Sequence, residues 1–156
     1  MAILLAVDLG LRTGLAWYRD DGRLVRCRSA HFANRGMLRR ALPSLWQEVP
    51  DLSQVVLEGG GDLADTWRRS AERRGLTVMI VSAEQWREDL LFKRERRSGR
   101  QAKEYAEMLA GRVMDWSGMS RVGPLRHDVA EAVLCGLWAV RQIGWLEAWP
   151  DLHKKG

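Results

Sequence analysis

Cysteine is scarce: Cys27 and Cys135 are the only two in 156 residues, and they stand far apart. Neither belongs to a CxxC pair or to a Cys/His set at zinc-ligand spacing, which removes the disulfide-framework and zinc-ribbon classes. They read as core thiols of a reducing compartment. His31, His127 and His153 also lack zinc-ligand spacing. No long hydrophobic run is present. The first, Ala2 to Val7, stops at Asp8 and has no basic segment before it, so neither a signal peptide nor a membrane span is expected. No GxxxxGK(S/T) or GxGxxG phosphate loop occurs, and no nucleotide cofactor is expected. Internal repeats and low-complexity stretches are missing as well.

What remains is an ordinary globular composition, 46% hydrophobic and 29% charged, of a length that suits one domain over residues 1–156. Its charge is unevenly placed. Residues 93–103 read KRERRSGRQAK, with six basic residues and one acid, while 19 basic and 19 acidic residues cancel over the rest. One short segment thus carries the whole net charge of +5. Such a patch suits a polyanion, because neutralising phosphates releases counterions. A solvated loop is the alternative.

Ala2 to Val7 reads as a central strand buried on both faces. Leu15–Tyr18 and Leu24–Phe32 read as two further strands around an Asp20-Asp21-Gly22 hairpin turn. A helix follows from Met37 to Glu48, weakened by Pro43, which would sit best near a helix start. Gln54–Leu57 is a short buried strand, then comes a helix from about Asp62 to Arg74 closed by Gly75. Leu76–Val81 is a fifth strand. Ser82-x-x-Gln85 is a capping box for a helix to about Leu91. Helices over about 100–116 and 128–143 complete the order, and the tail from about Gly144 has no clear pattern. A strand meander joined to parallel strands through a right-handed crossover predicts an α/β mixed five-stranded sheet with helices on both faces.

Four acids stand out by context. Asp8 ends the first buried strand and Glu58 ends the fourth, just before Gly59-Gly60-Gly61. Neighbouring parallel strands end at one edge, so these carboxylates can meet there. Asp128 and Glu131 are three apart at the start of the last helix and share a face. Four hard oxygen donors suit two Mg²⁺ or Mn²⁺ ions, which can serve phosphodiester hydrolysis. Simpler readings stay open. Asp8 could merely end a strand, Asp128-x-x-Glu131 is also a capping-box pattern, and His127 could be structural. Trp17, Trp46, Trp86 and Trp138 fall in apolar periodic segments and read as core. Trp67, nine residues after Glu58, is either core packing or a platform for an unstacked base.

Three segments together resemble the RuvC-type Holliday-junction resolvases of the RNase H-like superfamily. AVDLGLRTGLAWY is similar to the family's first strand with its D-x-G-x-x-x-G-x-A pattern. QVVLEGG is similar to the strand that ends in the catalytic Glu. RHDVAEAVLCGLWAV is similar to the last helix, with two acids three apart. SGRQAKEYAEML is similar to the family's basic, DNA-touching helix start. The resemblance spans nearly the whole chain in order. It implies an RNase H-like fold, a homodimer, divalent metal and paired nicks across a four-way junction. It gives Asp8, Glu58, Asp128 and Glu131 the catalytic metal-ligand roles. Arg12, Lys93, Arg94, Arg96, Arg97, Arg100 and Lys103 are the expected nucleic-acid contacts. One position departs: Glu131 stands where the bacterial resolvases carry Asp.

The expectation is therefore a Mg²⁺-dependent nuclease on branched DNA, cytoplasmic and nucleoid-associated. Rivals are a related nuclease on RNA–DNA hybrid or structured RNA, and an inactive nucleic-acid-binding module. An actin-like ATP-binding domain also opens with D-x-G, but that fold uses two such domains, more than 156 residues are expected to supply.

Overall fold

The computed structural model describes residues 1–91, 99–121 and 123–152. Five strands form one sheet in the order β3-β2-β1-β4-β5. β1 (Ile3–Asp8), β2 (Arg12–Arg19) and β3 (Leu24–His31) make the expected antiparallel meander, and β4 (Leu52–Glu58) and β5 (Thr77–Val81) run parallel to β1.

Strand alternation sorts the side chains into two cores. Ile3, Leu5 and Val7 of β1 join a cluster covered by α1 (Arg35–Glu48) and α2 (Gly61–Arg73). Leu4 and Ala6 point the other way, into a cluster covered by α3 (Ala83–Leu90), α4 (Gly99–Trp116) and α5 (His127–Gln142). Every residue of α5 from Val129 to Val140 is buried. The helix can lie that deep because it approaches the sheet through glycine. A Cβ on Gly136 would come within 2.3 Å of the Tyr18 ring.

Local signals in the sequence act as expected at most boundaries. Ser82 and Gln85 form the reciprocal capping box of α3. At the end of α2, Gly75 takes a φ of +81°, and the amides of Gly75 and Leu76 reach back to Glu72 and Ala71 as in a Schellman closure.

Two points the sequence left open are decided. Pro43 lies well inside α1, within the helix expected over Met37 to Glu48. Interior proline costs about 3 kcal/mol, but α1 buries Leu38, Leu42, Leu45 and Trp46. Each such side chain contributes about 1.5–3 kcal/mol, so the packed face outweighs the lost bond. Trp67 is fully buried, edge-on to Trp46 at 5.8 Å and Phe32 at 6.4 Å, on the α1–α2 side of the sheet. It is core, with no face free for a base. Trp17, Trp46, Trp86 and Trp138 are buried as expected. The patternless tail forms no regular element among the described residues, yet Trp145, Leu146, Trp149 and Leu152 pack onto the α5 side. No helix among the described residues is long and apolar enough to cross a membrane.

Candidate active site

Asp8 and Glu58 are direct register partners at the ends of β1 and β4. Counting by twos from Leu4, Ala6 and Val56, both lie on the α5 side of the sheet. The strands hand them to the same edge and face with no loop involved. The Leu9 amide closes the edge onto the Glu58 carbonyl at 3.1 Å, and the Gly59 amide bonds the Val81 carbonyl at 3.0 Å.

The third contribution comes from α5. Gly14 is the register partner of Asp8 on β2. A Cβ there would fall 1.8 Å from the Asp128 carbonyl oxygen. The missing side chain lets the first turn of α5 rest on the sheet beside Asp8. Ser29, which pairs with Gly14 from β3, donates its hydroxyl to Asp128 Oδ2 at 2.5 Å. The N-cap of α5 is Arg126, which makes no side-chain capping bond. Asp128 therefore sits inside the first turn, and the capping-box geometry left open by the sequence is not formed.

Glu131 is 3% exposed. Its Oε1 accepts from Arg87 Nη2 at 2.7 Å and lies 3.2 Å from His127 Nε2. Its Oε2, like Oε2 of Glu58, is buried with no hydrogen-bond partner. Burial first, then the charges of Glu131 and Asp128, pushes the Asp8 carboxyl up to about 7, and Arg87 opposes this. Burial, then Asp8 and Glu131, pushes Glu58 up to about 8. The buried Trp86 indole, short of hydrogen-bond geometry, and Arg87 pull Glu58 the other way. Cys135, one turn beyond Glu131, is held neutral beneath these acids by burial and by the charges of Glu58, Asp8 and Glu131.

Two carboxylates, Asp8 and Glu58, held above their ordinary range, and unmet buried oxygens on Glu58 and Glu131, form a site that demands positive charge. The donors are the hard oxygens that Mg²⁺ or Mn²⁺ takes. Among the described residues no three ligand groups close on one point as a finished cage. The residues fit a divalent ion by the chemistry of their donors and by the unmet oxygens, not by a finished cage, and Arg87 already holds one oxygen of Glu131.

Of the expected basic contacts, Arg12 is exposed at the start of β2. The Arg100 side chain is 91% exposed and pairs with Glu104 at 3.3 Å. Lys103 lines a cavity of about 480 Å³ together with Arg87, His127 and Glu131. Lys93, Arg94, Arg96 and Arg97 lie outside the described residues. The sequence did not single out Ser29 or Arg87. Ser29 is reached only through strand register. Arg87 had one signal, its place on the capped helix directly after the strand that pairs with Glu58.

No protein-family model matches the sequence. No curated protein matches it either. Among solved structures, the chain is similar to the Fowlpox virus resolvase in complex with Holliday junction DNA. Identity is 15%, coverage is 91% of this chain and 99% of that one, and the TM-score is 0.60. Weaker likenesses are to a ROK-family transcriptional regulator, a homologue of the E. coli MLC protein (11% identity, 57% and 30% covered, TM-score 0.44), and to the catalytic core of BIV integrase (10%, 88% and 80%, 0.37). The strand order, the two helical layers and the likeness to the viral resolvase together give the fold as RNase H-like.

Proposed function

We propose that this chain is a metal-dependent endonuclease of branched DNA, a RuvC-type resolvase that cuts four-way junctions by paired nicks as a homodimer. One observation carries the reading. Asp8, Glu58 and the first turn of α5 meet at one sheet edge as a mutually repelling acid cluster. Support comes from the fold shared with a viral resolvase whose structure holds Holliday junction DNA.

In this reading Asp8, Glu58, Asp128 and Glu131 hold two Mg²⁺ or Mn²⁺ ions. When bound, the ions activate the attacking water and stabilise the leaving oxygen of the phosphodiester. The chain's own residues supply placement. Ser29 fixes the Asp128 carboxylate, and Arg87 with His127 fixes one oxygen of Glu131. That leaves the second Glu131 oxygen and the unpaired Glu58 oxygen for a ligand. The longer side chain of Glu131, where the bacterial resolvases carry Asp, gives it the reach to meet Arg87. Lys103 faces the adjoining cavity, where a phosphate next to the cut would need a counter-charge.

The test is incubation with a labelled four-way junction, a linear duplex and an RNA–DNA hybrid, each with Mg²⁺ and with chelator. Symmetric nicks in the junction that need Mg²⁺ and vanish in Glu58→Gln are the expected result. Preferential cutting of the hybrid would move the chain to a ribonuclease role. Binding without product in any arm would make it a binding module.

A further inference from the structure

The α1–α2 layer carries a charge pattern that counting along the chain conceals. A groove of about 280 Å³ between the two helices is lined by Arg35, Arg39, Arg69 and Arg73 together with Asp62 and Asp65. The acids are already engaged: Asp62 pairs with Arg35 at 3.0 Å and Asp65 with Arg68 at 3.1 Å. Arg39 and Arg69 are exposed and make no ion pair among the described residues. Arg73 donates to the Arg69 carbonyl at 3.3 Å and to no acid. A second hollow continues past Ser70 to Arg73 and Arg74.

This arrangement works against the fold. Arg35 and Arg39, and Arg69 and Arg73, are like charges four apart on their helices, a destabilising spacing. Arg35, Arg39 and Arg40 also crowd the first turns of α1, the positive end of its dipole, and that first turn contains no acid. An anion from outside would relieve the repulsion among these cations.

The groove also starts in a telling place. β3 runs parallel to β1, so His31 ends at the edge where Asp8 and Glu58 end, and Arg12 pairs with His31 there. α1 follows β3 and α2 follows β4, so both helices begin at the catalytic edge and run away from it on the sheet face opposite α5. α2 is 13 residues long, about 20 Å, which is a little over half of the ~35 Å turn of B-DNA.

We propose that the α1–α2 groove binds the phosphate backbone of a duplex DNA arm that leaves the catalytic edge, with Arg35 at its mouth and Arg39, Arg69 and Arg73 along its length. The identity of this arm as part of the substrate rests on the nuclease reading above; the phosphate contact does not. The groove holds the substrate arm on the far face of the sheet from the acids, so it sets affinity and orientation, not chemistry.

The experiment is salt-dependent binding of a labelled four-way junction and a labelled linear duplex, in chelator. It compares the parent with Arg39→Ala/Arg69→Ala/Arg73→Ala. Each lost phosphate contact lowers the log–log salt slope by roughly 0.9, so the triple variant is expected to lose about 2.7 and to bind on the order of tenfold or more weakly. The triple Lys variant keeps the slope, as does Arg68→Ala, whose guanidinium is committed to Asp65 and Glu72. Should the triple alanine protein fail to fold, Arg69→Ala alone is expected to lose about 0.9. An unchanged slope and affinity in a folded variant overturns the proposal, as does loss of slope in the Lys variant. A parallel arm measures binding of polyglutamate, and its loss in the triple alanine variant with DNA binding intact overturns the proposal too, making the groove a protein-docking face. Junction cleavage by the parent in Mg²⁺ is scored separately. A parent that cuts but whose binding ignores the groove removes the groove alone. A parent whose binding needs the groove but that cuts nothing removes the nuclease reading alone.

Discussion

The backbone of Asp128 crosses directly over Gly14, with its carbonyl oxygen 1.8 Å from where a Gly14 side chain would begin. Gly14 in turn is the strand partner of Asp8. One absent methyl group therefore sets the distance between the strand acid and the helix acid. Gly14→Ala is expected to lift the first turn of α5 and cost about 1–3 kcal/mol, the usual price of overpacking. Denaturant unfolding measures the loss. Junction cleavage should fall more than stability does, because Asp128 moves away from Asp8. A Gly14→Ala protein with parental stability and activity would show that α5 can shift without consequence.

The acid cluster makes stability depend on pH in a definite direction. Asp8 and Glu58 have ordinary values of 3.8 and 4.5 and are raised to about 7 and about 8 in the folded chain. Between those limits the folded state holds more protons than the unfolded state. Its stability is thus fully present below about pH 4 and is lost as pH rises through 7 to 8. In chelator, melting temperature is expected to fall across that window. Glu58→Gln removes one of the repelling charges, so it should melt above the parent at pH 9 and show a shallower fall. Equal profiles for parent and variant would mean that Glu58 does not titrate in this way.

Asp128→Asn tests charge apart from shape. Asn keeps an acceptor for the Ser29 hydroxyl, and no side-chain cap is lost because the cap position is Arg126. The variant is expected to melt at the same temperature as the parent or higher in chelator, since one like charge leaves the neighbourhood of Asp8. It should also lose most of the stabilisation that Mg²⁺ gives the parent, which amounts to about 2.7 kcal/mol at a hundredfold excess over the dissociation constant. Thermal melts with and without Mg²⁺ decide the matter. An undiminished Mg²⁺ shift would remove Asp128 from the ligand set.

Much of this architecture is written locally. The apolar run that ends at Asp8, the box at Ser82 and Gln85, and the glycine after α2 each act within a few residues, and each is where the sequence puts it. The strand-end acids were legible because side-chain alternation and parallel pairing together bring Asp8 and Glu58 to one edge. What stayed hidden depends on contacts between elements. Pro43 weakened the reading of α1 because helix propensity does not count that helix's buried face. Trp67 was left open because position relative to Glu58 does not say which side of the sheet α2 covers. Arg87 reaches Glu131 across 44 positions of sequence. The arginine groove was invisible to a charge count along the chain, because only the packing of α1 against α2 brings Arg35, Arg39, Arg69 and Arg73 together beside two acids.

The depth of α5 has a further consequence for when the site exists at all. Its buried span runs from Val129 to Val140 and packs against both β1 and β2, so it has no solvent side along which to fray. Amides in such a helix exchange with solvent through openings close to global unfolding rather than through local fluctuation. Glu131 lies within that span and Asp128 is the residue just before it, while Asp8 belongs to the central strand. Asp128 and Glu131 therefore depend on the docking of α5, and a chain in which α5 has not yet packed on the sheet would lack both of them at the edge where Asp8 and Glu58 end.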